Sequence, residues 1–194
     1  MRPVWDSIVL VTIMAVVSAA PLWGQTPDSS VFHRRQWGVD FNIGSGFAGA
    51  GLIHFSSATR ALVLNVSGDV STSIPDDTSS TGGNSSQITI SLGARRYHPV
   101  APHLLLYRTL GIEGSYEHEF RGGASPVTDN SQYAGLFGEM GASWLVTPHL
   151  ALGAAWRLSA DYQRADEKTG QITYQTHSFI LLLGQPRLTG QLYF

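Results

Sequence analysis

From Trp37 to the final residue, apolar and polar side chains alternate in eight runs. Successive side chains of an extended strand point to opposite faces, so each run predicts a β-strand with one apolar and one polar surface. In the first, Trp37, Val39, Phe41 and Ile43 oppose Gly38, Asp40, Asn42 and Gly44. Gly44, Ser45 and Gly46 predict a tight reversal. In the second run, Phe47, Gly49, Gly51, Ile53 and Phe55 then form the apolar face, opposite Ala48, Ala50, Leu52 and His54. Leu62, Leu64, Val66 and Val70 oppose Asn65, Ser67, Asp69 and Ser71 in the third run, and Ile88, Ile90 and Leu92 oppose Thr89, Ser91 and Arg95 in the fourth.

The fifth run sets Leu104, Leu106, Leu110, Ile112 and Tyr116 against Thr109, Glu113, Ser115 and Glu117. Arg108 interrupts its apolar face, as a side chain that snorkels to a membrane surface would. Leu136, Met140, Ala142 and Trp144 oppose Glu139 and Ser143 in the sixth run. The seventh is the cleanest, with Leu150, Leu152, Ala154, Trp156, Leu158 and Tyr162 against Gly153, Arg157, Ser159, Asp161 and Gln163. The eighth closes with Leu188, Gly190, Leu192 and Phe194 on one face and Thr189 and Gln191 on the other. Counting back by twos from Phe194 puts Tyr174, Ile180 and Leu182 outside and His177, Phe179, Leu181 and Leu183 inside; a bulge at residues 184–186 reverses this.

Polar stretches at 75–86, 121–131 and 165–170 predict long loops. They alternate with short turns of related sequence: Thr59-Arg60-Ala61-Leu62, Pro102-His103-Leu104-Leu105 and Pro148-His149-Leu150-Ala151. Sorting of short and long connections to opposite ends is the pattern of a transmembrane barrel, whereas a soluble sandwich has no reason for it. About ten residues of tilted strand cross a hydrocarbon layer. Within lipid every backbone polar group needs a protein partner, so strands cross only as a closed cylinder.

The start of the chain is different. Its apolar run, residues 8–20, is shorter than the roughly 20 residues of a spanning helix and fits the about 7–15 of a secretory signal. Residues 1–24 are therefore read as a cleavable signal peptide, with cleavage after Ala20 or Gly24, and residues 25–35, which carry His33, Arg34 and Arg35, as a solvated periplasmic linker. Residues 36–194 form the barrel domain.

Composition agrees. The 194 residues hold no cysteine, carry a net charge of -2 and are only 13% charged. Those values exclude a disulfide framework and a basic nucleic-acid surface.

The region 36–194 resembles the small eight-stranded outer-membrane barrels such as the OmpA transmembrane domain, OmpX and OmpW, through its alternating architecture and its aromatic last residue. The resemblance implies an all-β, eight-stranded, antiparallel up-and-down transmembrane barrel in the bacterial outer membrane, exported through a signal peptide. It implies that Leu188, Gly190, Leu192 and Phe194 are the signal read by the barrel assembly machinery. The expected partners are that machinery, outer-membrane lipids and lipopolysaccharide, with no nucleic acid and no cofactor. The peptidoglycan-binding domain of full OmpA proteins is not expected, and the first hairpin loop is tight for an outer loop.

Polar faces then point inward. Asp40, Asp69, Arg95, Glu113, Glu117, Glu139, Arg157 and Asp161 are expected to form an interior polar network, with Arg157 and Asp161 as one pair, because eight strands enclose a space that side chains fill. Trp37, Trp144 and Phe194 near the short turns, and Tyr116 and Tyr162 toward the loops, are expected at the two lipid interfaces.

Catalysis is not expected. His177 and Ser178 are adjacent, so they face opposite sides, as do His118 and its neighbours Glu117 and Glu119. His54 reads as an interior hydrogen-bonding residue, and His103 and His149 sit in turns. Glu113 and Glu117 share a face, but at about 3.3 Å per residue they stand roughly 13 Å apart, too far for a glycosidase pair. No metal-ligand spacing appears. The leading expectation is a non-enzymatic envelope protein that displays polar loops. The alternatives are a narrow passage for small hydrophobic compounds, motivated by an inward Phe179, Leu181 and Leu183, a lipid A modifying enzyme, and a soluble lipocalin-like binder. The last requires the faces to be reversed.

Overall fold

Each alternating run pairs with its neighbours along the chain, and the eighth returns to the first. The computed structural model describes residues 32–44, 46–73, 83–122, 127–169 and 172–194, so the expected signal segment lies outside the described residues. The strands are β1 (Trp37–Gly44), β2 (Phe47–Ser57), β3 (Arg60–Ser73), β4 (Gly83–Ala101), β5 (Leu104–Arg121), β6 (Val127–Thr147), β7 (Leu150–Thr169) and β8 (Ile172–Tyr193). They form one closed barrel in chain order. Antiparallel pairing of β1 with β8, from Gly38 opposite Tyr193 to Gly44 opposite Arg187, closes it.

The faces are distributed as expected for a protein solvated by lipid. Leu110, Leu136, Leu152 and Trp156 stand on the outer wall, Leu110 being 71% exposed, while Asp40, Arg95 and Arg157 are each 2% exposed inside. This excludes the reversed arrangement of a lipocalin-like binder.

The structure corrects three readings of the alternation. In β2 the odd residues point inward, because Gly51 lies opposite the inward Asp40. Phe47, Gly49, Gly51, Ile53 and Phe55 therefore face the interior, and Ala48, Ala50, Leu52 and His54 the outside. His54 rests against the outer-wall ring of Trp37, centroids 4.5 Å apart, rather than inside the barrel. The apolar face here meets protein because Ile53 and Phe55 fill the short-turn end of the barrel, so hydrophobicity alone pointed the wrong way.

In β8 a bulge resolves the ambiguous register. Gln185 lies opposite Arg157 and Leu183 opposite the next residue, Leu158, leaving Gly184 as the extra residue. Its φ of 83° is a left-handed conformation that favours glycine. Phe179, Leu181 and Leu183 thus point outward, Phe179 being 87% exposed, while Ile180 and Leu182 turn inward opposite Asp161 and Ser159.

The third correction concerns strand length. β6, β7 and β8 run for 21, 20 and 22 residues, about twice what a membrane crossing needs. The expected loop 121–131 gives its first residue to β5 and its last five to β6, the expected loop 165–170 is largely the end of β7, and β4 starts within the expected loop 75–86. Ladder pairing needs only backbone groups, so strands continue where both faces become polar. β1 and β2 do not follow: β2's last partner in β3 is Gly68 and β1's last in β8 is Arg187. Among the described residues, β3 from Asp69 and β8 above Arg187 flank a notch in the wall over the first turn.

Candidate functional site: the filled interior and the apolar wall

The short-turn end is closed by aromatic rings. Phe32 is buried, with ring centroids 4.2 Å from Phe55, 4.7 Å from Tyr193 and 5.0 Å from Tyr97. A local turn places it there: His33 N–H donates to Gln36 Oε1 at 2.9 Å, and Arg35, at a φ of 69°, donates its N–H to the Phe55 carbonyl at 2.8 Å. Ile53, Val63, Leu105 and Leu145 complete the apolar cluster. The linker is thus solvated at His33, Arg34 and Arg35 but not at Phe32. A Phe next to one Val in an otherwise polar stretch has no periodicity, so the pattern could not reveal it.

Above this floor sits Arg95. It reaches Asp40 at 3.3 Å and Glu139 at 2.9 Å, and its Nε donates to Thr109 Oγ1 at 3.0 Å. The Tyr107 ring stacks 4.2 Å from the guanidinium carbon. Gly141 makes room for that ring, since a Cβ there would lie 2.5 Å from it.

The next layer holds two more arginines. Arg157 bonds Glu113 and lies 3.6 Å over the Phe137 ring. It does not pair with Asp161, which accepts from Ser159 Oγ at 2.8 Å. The reason is the strand rise: residues four apart on one strand are about 13 Å apart, whereas β5 brings Glu113 within reach across the interior. Arg187, absent from the expected network, lies 3.8 Å from Glu139 and 4.7 Å from the Phe47 ring centroid. Its place was readable by extending the polar face of Thr189 and Gln191 two residues back.

Toward the long-strand end the contents are more open. Tyr133 donates to Glu117 at 2.6 Å, Gln163 to Tyr133 at 3.0 Å, and Ser178 to Gln163 at 2.9 Å. Asp69 points inward beside the first turn, where a Cβ on Gly46 would lie 3.8 Å from its carboxylate. Beyond the outer aromatics, the hydrogen bond from Arg121 holds the Glu119 carboxyl below its ordinary range, while burial and the neighbouring Glu119 and Glu167 push Asp129 up.

Histidines do not assemble a catalytic group. His177 faces outward and contacts the Tyr162 hydroxyl at 2.7 Å, while Ser178 points inward. His118 turns outward to Asn130 at 2.8 Å, away from Glu117 and Glu119. Among the described residues no three His, Cys, Asp or Glu are grouped to hold a metal.

On the outer wall Trp37, Trp144, Phe194, Tyr116 and Tyr162 are all exposed. Leu104 and Leu152 are the cross-strand partners of Trp144. Counted from them, Tyr116 and Tyr162 stand about 25–30 Å higher at roughly 3.3 Å per residue and roughly 40° tilt. That matches the thickness of a hydrocarbon layer.

Removing Arg157 should leave Glu113 buried without its partner, so Arg157→Ala is expected to destabilise the barrel by about 3 kcal/mol. Urea unfolding in lipid vesicles reads this as a lowered midpoint; an unchanged midpoint would show that the pair contributes nothing.

A closed eight-stranded barrel with a polar, filled interior and an apolar wall is a transmembrane β-barrel of the outer-membrane type. Comparison with solved structures gives the same fold. The chain is similar to a major outer membrane protein from Thermus thermophilus, with a TM-score of 0.60 at 13% identity over 82% of this chain and 98% of that one. It is also similar to the N-terminal β-barrel domain of Pseudomonas aeruginosa OprF, with a TM-score of 0.51 at 12% identity over 84% of this chain and all of that domain. No protein-family model and no curated protein matches the sequence.

Proposed function

We propose that this protein is a non-enzymatic, non-conducting barrel of the bacterial outer membrane that contributes to envelope structure and presents polar strand ends and loops outside. The observation that carries this reading is the stack of obstructions along the axis: the Phe32 floor, then Arg95 with Asp40 and Glu139, then Arg157 with Glu113. Each layer joins side chains from different strands, so opening a path requires separating buried charges. Outer-membrane lipids, lipopolysaccharide and the assembly machinery are its partners in this reading, and Leu188, Gly190, Leu192 and Phe194 its assembly signal. In agreement, Leu188, Leu192 and Phe194 are exposed on the outer wall.

Reconstitution into a planar bilayer tests it. The folded barrel is expected to give no ionic current; steady unitary steps would overturn the reading. A gel shift between boiled and unboiled protein checks that the barrel has formed.

A second reading is lateral passage of small hydrophobic compounds. An inward Phe179, Leu181 and Leu183 no longer supports it, because these residues line the outside. The notch over the first turn supports it instead, bordered by the inward Ile180 and Leu182. Uptake of a hydrophobic dye by proteoliposomes, compared with empty vesicles, separates the two readings.

A further inference from the structure

Charge is segregated between the two faces of the wall. Among the described residues, Asp166 is the one acidic side chain on the outer face, at the polar strand ends and 3.6 Å from Arg164. The remaining described carboxylate side chains turn inward, yet three arginines lie together outside. Arg60 is opposite Arg96, and Arg96 is opposite Arg108, across β3, β4 and β5. All three are exposed.

Directly opposed residues of an antiparallel pair have Cα atoms about 4.5–5.5 Å apart, and like charges so placed are destabilising. This register imposes the arrangement twice in a row. The row starts at the β2–β3 turn and climbs into the wall: Arg108 is four residues from Leu104, the partner of Trp144, hence about 10 Å above that tryptophan. A guanidinium at that depth is costly unless it pairs or bends back to the interface. The wall around the row offers no carboxylate side chain, so the counter-charge has to come from the surroundings.

We propose that Arg60, Arg96 and Arg108 form a binding site for the phosphate groups of anionic glycerophospholipids in the leaflet on the short-turn side. A guanidinium pairs with phosphate through two parallel hydrogen bonds, and a row of three spans more than one headgroup phosphate. Lipid thereby neutralises the opposed charges and fixes the barrel's depth at that interface. The site rests on the membrane reading above.

The test uses the full chain in phosphatidylcholine bilayers, with spin-labelled phosphatidylglycerol and spin-labelled phosphatidylcholine as probes. The wild type is expected to prefer phosphatidylglycerol by about fivefold or more, what about 1 kcal/mol from one arginine near the surface gives. The triple variant Arg60→Gln, Arg96→Gln, Arg108→Gln should lose the preference. Arg164→Gln, on the same wall at the other end, should keep it. A triple glutamine variant that folds, by its gel shift, and retains the preference would overturn the site, as would an inserted wild type with none. A wild-type chain that does not insert at all overturns the membrane reading, and the site with it.

Discussion

Arg95→Ala is expected to destabilise the barrel by about 3–5 kcal/mol, the largest loss of any single interior substitution. Arg95 is the hub of the lower interior: it neutralises Asp40 and Glu139, bonds Thr109 and lies over Tyr107. Truncation strands the Asp40 carboxylate at 2% side-chain exposure and leaves Glu139, at 6%, with only its longer contact to Arg187 at 3.8 Å. Asp40 must then stay charged without an ionic partner or take up a proton. Urea unfolding in vesicles should show a large drop in midpoint that shrinks at acid pH, where protonation removes the uncompensated charge. A companion variant separates this cause from lost packing: Arg95→Met with Asp40→Leu replaces the Arg95–Asp40 pair by apolar groups, keeps Glu139 for Arg187, and is expected to recover most of the loss. Equal damage in both variants would show that the charges are not the source.

The second large effect is expected at Phe32. Phe32→Ala should cost about 3–4 kcal/mol, the range for a buried Phe in a packed cluster, while Phe32→Leu should cost under about 1.5 kcal/mol because it conserves most of the volume. Wild-type-like stability of Phe32→Ala would mean that the ring does not close the barrel. The alanine variant should remain silent in a planar bilayer, since the Arg95 layer lies above the vacated floor. Ionic current from it alone would make Phe32 the only seal.

The outer wall and the inner arginines were legible from the sequence for one reason. Where a strand crosses lipid, one face meets acyl chains and the other meets a crowded interior, so the outward face of β7 is apolar at every second residue from Leu150 to Tyr162. That alternation determined the strand count, the short turns, the outward Trp144 and Trp156, and the inward Arg95, Glu139 and Arg157.

Tertiary structure decided what alternation does not encode. The inside of β2 is apolar because its neighbours at the closed end are Phe32, Tyr97 and Tyr193, a fact about distant residues. Partner choice inside the barrel is set by shear and strand rise, which bring Arg157 to Glu113 on another strand and not to Asp161 on its own. The register of β8 turned on a single bulge at Gly184. The extent of β6 and β7 beyond the lipid was invisible because backbone pairing in water requires no apolar face. Period-two patterning is a record of which medium each side chain meets, so it determines the fold wherever the two media differ. It is silent where both sides are protein or both are water, and there only the folded chain supplies the answer.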